Sequence, residues 1–188
     1  MKATGQQQMT DAGHDETALI DRARAGDRDA QEDLVRRHLG HVFDLAYRIL
    51  GDRDAAQDAT QDAMISALGA LGRFRGDASF RTWLLRITVN AAKTQFRRQF
   101  RRSEVKLTLA SDVRSEAADP ALAAVLKSEA ARASAQLAKL PPKQRMAVVL
   151  RTSRGLSYAE VGEILECSEG AARVNYHLGI KRLRELLQ

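Results

Sequence analysis

The chain has 188 residues, with 30 Lys and Arg against 24 Asp and Glu for a formal net charge of +6, and 44% of its residues are hydrophobic. That composition excludes disorder throughout and leaves room for one domain or two small ones, each able to bury only a modest core. Aromatic residues make up 5% of the chain, prolines number 3, and runs alternating Val, Ile and Thr are few, which argues against a sandwich or barrel and for an all-α fold. Cys167 is the single cysteine, so neither an internal disulfide framework nor a Cys-rich zinc site is available. No stretch approaches the roughly 18 apolar residues that would span a bilayer. The polar start from Met1 to Glu16 lacks the apolar centre of a secretory signal. No membrane insertion and a cytoplasmic location are expected.

Residues 1–16, with Gln6, Gln7 and Gln8, carry no apolar period and read as a mobile tail. Leu19, Ile20 and Ala23 then make a short helix that ends at Gly26, and Asp27 caps the next. From Arg28 to Leu50 the residues Leu34, Val35, Leu39, Val42, Phe43, Ala46, Ile49 and Leu50 recur at three- and four-residue steps, predicting one long helix that Gly51 stops. Asp52 caps a third helix, whose inner face is Ala55, Ala56, Ala59, Ala63, Met64, Ala67, Leu68 and Leu71. A loop from Gly72 to Gly76 follows, and Ser79 caps a fourth helix that turns Trp83, Leu84, Ile87 and Ala91 inward.

Residues 104–129 are predicted to be mostly linker. The 15 or so residues from Glu104 to Ala118 reach about 50 Å when stretched. Asp119 and Pro120 are a cap and first-turn pair for an Ala-rich helix that runs to about Leu140 and into a second unit. Pro141 and Pro142 punctuate it, Lys143 to Arg154 form a helix with Met146, Val149 and Leu150 on one face, and Gly155 closes that helix.

Ser157-Tyr158-Ala159-Glu160 is a capping box that opens a short helix through Leu165. Glu166, Cys167 and Ser168 form a turn, and Ser168 caps a last helix. Two helices around so short a turn, the second longer and basic, form the helix-turn-helix pattern. Spacing turns Ala172, Tyr176, Gly179, Leu183 and Leu187 inward and leaves Arg173, Val174, His177, Lys181 and Arg184 outward. Arg173 then stands near the start of a recognition helix, where guanidinium donors meet guanine edges or phosphates. The competing reading is a helical hairpin with a solvated basic face. Gly179 costs the helix about 1 kcal/mol relative to Ala, for which close packing is the expected reason.

Charge changes sign between the third and fourth helices. Asp52, Asp54, Asp58 and Asp62 oppose Arg53 alone, whereas Arg86, Lys93, Arg97, Arg98, Arg101 and Arg102 follow with no acid between them, so opposite faces are expected to serve different partners. Arg86, Lys93 and Arg97 share one flank, and Phe96 and Phe100 interleave the arginines. Cations with planar side chains suit single-stranded nucleic acid, where phosphates need neutralising and bases need stacking surfaces. A solvated helix end explains the same arginines. Magnesium at Asp58 and Asp62 has no second carboxylate cluster to support it, and His14, His38 and His41 form no metal constellation. No nucleophile and base pair and no phosphate-cradling glycine loop is found, so neither catalysis nor a cofactor is expected.

Three segments carry a family resemblance. Ala56-Gln57-Asp58-Ala59-Thr60-Gln61-Asp62-Ala63-Met64 resembles the acidic polymerase-docking helix of the extracytoplasmic-function (ECF) sigma factors, small two-domain bacterial initiation factors. Phe74-Arg75-Gly76-Asp77-Ala78-Ser79-Phe80-Arg81-Thr82-Trp83-Leu84 through Asn90 is similar to their minus-ten reading loop and helix. Leu156-Ser157-Tyr158-Ala159-Glu160-Val161 with Gly170-Ala171-Ala172-Arg173-Val174 is similar to their minus-thirty-five helix-turn-helix.

The resemblance implies a polymerase-docking set of Asp58, Gln61, Asp62 and Met64, the last standing where a bulky aromatic is usual. It implies a minus-ten set of Phe74, Arg75, Gly76, Asp77, Ser79, Trp83, Arg86, Asn90, Lys93 and Arg97. Ser168, Arg173, Val174, His177 and Lys181 form the minus-thirty-five set. Residues 17–103 would be sigma region two and 130–188 region four. The implied partners are core RNA polymerase, through its beta-prime clamp helices and beta subunit, promoter DNA and an anti-sigma factor. The implied activity is promoter recognition, assisted melting and initiation without catalysis. A ligand-sensing helix-turn-helix regulator and a magnesium-dependent nucleic-acid enzyme are the competing functions.

Overall fold

The computed structural model describes residues 15–108 and 135–187. Among them every regular element is helical. Helix α1 covers 15–24, α2 is Arg28–Leu50, α3 is Arg53–Ala70 and α4 is Phe80–Thr108. A helical turn at 135–138 leads to α5, Pro142–Arg154, then α6, Tyr158–Leu165, and α7, Glu169–Leu187. Most of the Ala-rich helix predicted after Pro120 and most of the predicted linker fall outside the described residues. Within them, α4 continues to Thr108, past Glu104, where the linker was expected to begin.

The helix ends lie where the polar side chains and glycines predict. The Asp27 carboxylate accepts from the amides of Asp29 and Ala30 at 3.0 and 3.1 Å, and Asp52 accepts from the Ala55 amide at 2.8 Å. These bonds satisfy amides that a helix start leaves without partners. Gly51 ends α2 at φ 73°, a left-handed conformation that costs glycine little, and its amide donates to the Tyr47 carbonyl at 2.8 Å. Both halves of the Ser157 and Glu160 capping box are formed at the start of α6.

Two apolar clusters hold the chain together. In the first, Leu19, Ile20 and Ala23 of α1 pack against Leu34 and Val42 of α2, Met64 and Ala67 of α3, and Phe80 and Leu84 of α4. The second crosses between the two units. Leu45, Ile49 and Leu50 of α2, Ala56 and Ala59 of α3, and Leu85 and Val89 of α4 meet Met146, Val149 and Leu150 of α5, Val161 and Ile164 of α6, and Ala172 of α7. Leu45, Ile49, Leu150 and Ile164 are fully buried, each contributing about 1.5 to 3 kcal/mol of hydrophobic stabilisation. This second cluster is built from residues of both units, so part of the apolar surface of each is covered by the other.

Two expected inward positions differ. Leu39 and Leu187 are exposed, at 45% and 71%. Leu187 is the last residue of α7. Trp83 is half-buried, its ring leaning on Phe74 and Phe80 at centroid distances of 5.3 and 5.4 Å. Gly179 is explained by packing, because a Cβ there would lie 2.6 Å from Val148 Cγ2.

Candidate nucleic-acid and polymerase interfaces

The acidic helix α3 presents Asp58 and Gln61 to solvent, with Asp62 half-buried beside them. Met64 differs from this expected docking set. It is 8% exposed and packs in the first cluster with Leu34 and Leu84, because its position falls on the inner stripe of Ala56, Ala59, Ala63 and Ala67. One ion pair joins the acidic helix to the basic one. Arg98 Nη1 of α4 lies 3.2 Å from Asp62 Oδ2, since α3 and α4 pack side by side.

Between α3 and α4 the chain makes one turn of 3-10 helix, Leu71–Arg73, and then a loop with Gly76 at φ 78°. Ser79 ends the loop by accepting from the Thr82 amide at 3.1 Å. Phe74 packs edge-on against Phe80 with centroids 5.5 Å apart. The rings of Phe74 and Trp83 thus form an apolar back wall, with buried Phe80 packed against both. In front of it is an open pocket of about 150 Å³, bordered by Phe74, Trp83, Arg75, Gly76, Asp77 and Arg86. A concave site with an aromatic wall and a polar rim is the form in which a planar group is held.

Along the flank of α4, Arg86, Asn90 and Arg97 are exposed, and Lys93 is 19% exposed. The Asn90 amide oxygen accepts from Lys93 Nζ at 3.3 Å. Arg86 and Lys93 face the other unit: Arg86 Nη2 is 3.4 Å from Glu163 Oε2, and Lys93 Nζ is 4.0 Å from Glu166 Oε2.

The helix-turn-helix is α6, the turn at Glu166 to Ser168, and α7. Glu166 takes the left-handed conformation at φ 59°. Ser168 accepts from the Ala171 amide at 3.1 Å and so caps α7. Exposed Cys167 donates its amide to the Gly162 carbonyl at 2.9 Å. Arg173, Val174, His177 and Lys181 are all exposed on α7. Arg173 Nη2 donates to Glu169 Oε1 at 2.8 Å, and its guanidinium lies 5.0 Å from the Tyr158 ring centre. On the same ring Arg151 sits at 4.5 Å, and His177 Nε2 is 3.5 Å from the Tyr158 hydroxyl. Tyr158 therefore touches both Arg173 and His177, a contact no single-residue pattern indicated, although Tyr158 lies within the recognised segment.

Two further arginines escaped the sequence reading. Arg145 is 6% exposed and donates to the carbonyls of Ile49 and Leu50 at 2.8 and 3.2 Å, to Leu140 at 3.1 Å, and to Ala138. Burial lowers its pKa from the ordinary arginine value. Arg154 Nη2 donates to the His41 carbonyl and to Asp44 Oδ2, both at 2.9 Å. Burial lowers the Arg154 pKa too, with Asp44 opposing. The available sign was position: Arg145 stands one turn before Val149 on the apolar stripe of α5, where a charge needs a partner.

His38 is half-buried against Phe80, with ring centroids 5.1 Å apart. Among the described residues no group of three or more His, Cys, Asp or Glu could hold a metal ion. Among them, too, no helix is long and apolar enough to cross a membrane.

Comparison with known proteins agrees with this arrangement. Residues 34–102 match the family model of sigma-70 region 2, and residues 131–183 match that of sigma-70 region 4. The chain is 35% identical to the RNA polymerase sigma-H factor of Pseudomonas aeruginosa over 82% of this chain and 84% of that protein. It is 33% identical to the ECF RNA polymerase sigma-E factor of Haemophilus influenzae over 97% and 95% of the two chains. Among solved structures it resembles CnrH in complex with the cytosolic domain of CnrY, at TM-score 0.65 and 29% identity over 90% of this chain and 95% of that one. It also resembles the sigma factor RpoE of Bartonella quintana in complex with the anti-sigma factor NepR, at TM-score 0.66 and 25% identity over 83% and 95%. The chain belongs to the ECF family of RNA polymerase sigma factors, which recognise promoters and direct transcription initiation.

Proposed function

We propose that residues 17–103 bind core polymerase through Asp58, Gln61 and Asp62 and read the minus-ten element with the 74–79 loop and the α4 flank, while the helix-turn-helix reads the minus-thirty-five element. The observation that carries this reading is the pocket walled by Phe74 and Trp83. An unpaired base flipped out of the duplex costs a few kcal/mol of lost stacking. Aromatic faces and loop polar groups offset that cost, and Arg86, Lys93 and Arg97 neutralise the strand that carries the base. Trp83, Asn90 and Ser79 position this loop and flank, and Gly76 supplies its turn. Met64 supports α3 from beneath.

On α7 the exposed Arg173, Val174 and His177 offer a guanidinium, an apolar contact and an imidazole to base edges, and Lys181 and the Ser168 turn meet phosphates. The chain acts by binding alone, in the cytoplasm where polymerase works. One of the structural relatives, the sigma factor RpoE, was solved in complex with the anti-sigma factor NepR, which supports an anti-sigma partner for this chain as well.

Run-off transcription tests the proposal. Purified chain, core polymerase and a library of candidate promoters should give transcripts that depend on this chain. Duplex binding without polymerase association would reject the proposal in favour of a helix-turn-helix regulator. Magnesium-dependent turnover of DNA abolished by Asp58→Ala would reject it in favour of an enzyme.

A further inference from the structure

We infer that Tyr158, the first residue of α6, is a positioning residue for base reading by α7: its ring holds the Arg173 guanidinium in the direction from which that side chain meets a base edge. The inference rests on the reading of α7 as the helix that recognises the upstream element. It gives Tyr158 a task performed through another side chain.

The ring itself is held from three helices. Ser157 and Glu160 close the capping box that starts α6, which fixes the backbone of Tyr158 in the first helical turn. Arg151 of α5 donates to the Leu156 carbonyl, and its guanidinium lies 4.5 Å from the Tyr158 ring centre. Tyr176 of α7 packs edge-on against the same ring, with centroids 5.7 Å apart. A half-buried ring with these neighbours is a fixed surface on which a mobile side chain can be set.

Arg173 is such a side chain, 56% exposed. A long arginine in water samples many rotamers, and losing them opposes binding. Two contacts remove part of that freedom beforehand. Its guanidinium lies 5.0 Å from the Tyr158 ring centre, within the range at which a cation is drawn to an aromatic ring. Its Nη2 donates to Glu169 Oε1 at 2.8 Å. The two differ in what they leave free: Glu169 takes an N–H donor that a base acceptor would use, whereas the ring attracts the cation and leaves its donors available to guanine. His177 Nε2 is 3.5 Å from the Tyr158 hydroxyl. At that length the contact is weak, so the ring rather than the hydroxyl carries the effect.

The full-length chain and its variants are compared by fluorescence anisotropy on a duplex that the immobilised wild type enriches from a randomised pool, and on duplexes in which each base pair of it is replaced in turn. The readout is discrimination, the ratio of affinities for the enriched and the replaced duplex. A smaller folded fraction lowers all affinities alike and leaves this ratio unchanged. Arg173→Ala identifies the base pair that Arg173 reads. At that base pair Tyr158→Leu should lower discrimination by roughly two- to tenfold, the cost of ordering one long side chain on binding. Tyr158→Phe, which keeps the ring, should discriminate as the wild type does. In the Arg173→Ala background Tyr158→Leu should change discrimination no further, because the two residues act as a unit.

Tyr158→Phe as poor as Tyr158→Leu, or an equal further loss in the Arg173→Ala background, overturns the positioning role. If Arg173→Ala loses discrimination while Tyr158→Leu matches the wild type, the reading of α7 stands and the positioning role alone is lost. If Arg173→Ala discriminates every base pair as the wild type does, the reading of α7 is what has failed, and the inference falls with it.

Discussion

Arg98 of α4 reaches across to Asp62 of α3, guanidinium nitrogen to carboxylate oxygen at 3.2 Å, with both side chains more than 40% exposed. The pair joins the acidic helix proposed to grip polymerase to the basic helix proposed to grip DNA. Because it is solvated it adds at most about 1 kcal/mol to the fold, so Asp62 is available to an outside partner at little cost.

Asp62→Arg should therefore weaken association with core polymerase by roughly tenfold or more, since a favourable charge becomes a like charge at the contact. Unfolding stability should change by no more than about 1 kcal/mol. Co-sedimentation with core polymerase and urea titration measure the two effects. Unchanged core affinity would remove α3 from the docking surface.

Arg173→Ala should weaken binding to duplex carrying the upstream element by about 1 to 3 kcal/mol if a bidentate base contact is lost. The Arg173 side chain is 56% exposed and its ion pair with Glu169 lies within one helix, so the melting temperature should hardly move. Anisotropy at one fixed salt concentration, with specific and scrambled duplexes, separates base reading from phosphate contact. Equal loss on both duplexes would reassign Arg173 to the backbone.

Gly179→Ala sets helix propensity against packing. Alanine favours the helix by about 1 kcal/mol, but its Cβ would lie 2.6 Å from Val148 Cγ2 and 3.3 Å from the Gln144 carbonyl. Overpacking of that kind costs about 1 to 3 kcal/mol, so net destabilisation is expected in urea unfolding, with partial recovery in Gly179→Ala with Val148→Ala. Stabilisation by Gly179→Ala would show that α5 and α7 are not packed closely at this point.

The capping box makes a pH prediction. The Glu160 carboxylate accepts from the Ser157 amide at 2.7 Å, and that bond, with a smaller contribution from the Ser157 side chain, lowers its pKa below the ordinary glutamate value of 4.5. A carboxyl whose pKa is lower folded than unfolded contributes its full stabilisation above the unfolded value and loses it as pH falls through the folded one. The start of α6 should therefore be firm at neutral pH and weaken below about pH 4.5. Glu160→Gln should remove that part of the acid dependence, as read from amide exchange in α6 between pH 3 and 6. An identical acid profile in the variant would mean that Glu160 does not hold the cap.

Local chemistry determined a large part of this protein before any packing was considered. Asp27, Gly51, Asp52, Ser79, Gly155 and the Ser157 to Glu160 box mark helix ends because each satisfies stranded backbone groups within a few residues of itself. The apolar period of α2 and the short turn before α7 made the all-α fold and the helix-turn-helix legible for the same reason. The matching segments gave the family, and helical spacing gave the outward residues Arg173, Val174 and His177. Met64, read as a contact residue, showed the limit, since a position on a stripe does not say which neighbour covers it.

What only the tertiary structure decided involves residues far apart in the chain. Arg145 meets the end of α2, Arg154 meets Asp44, Glu163 meets Arg86, and Tyr158 meets Arg173. No periodicity encodes such pairs, because each depends on how two helices settle against each other as their apolar faces are buried. Secondary structure and recognition surface follow from interactions within a few residues, whereas the closed arrangement of the two units follows from burial summed over the whole chain.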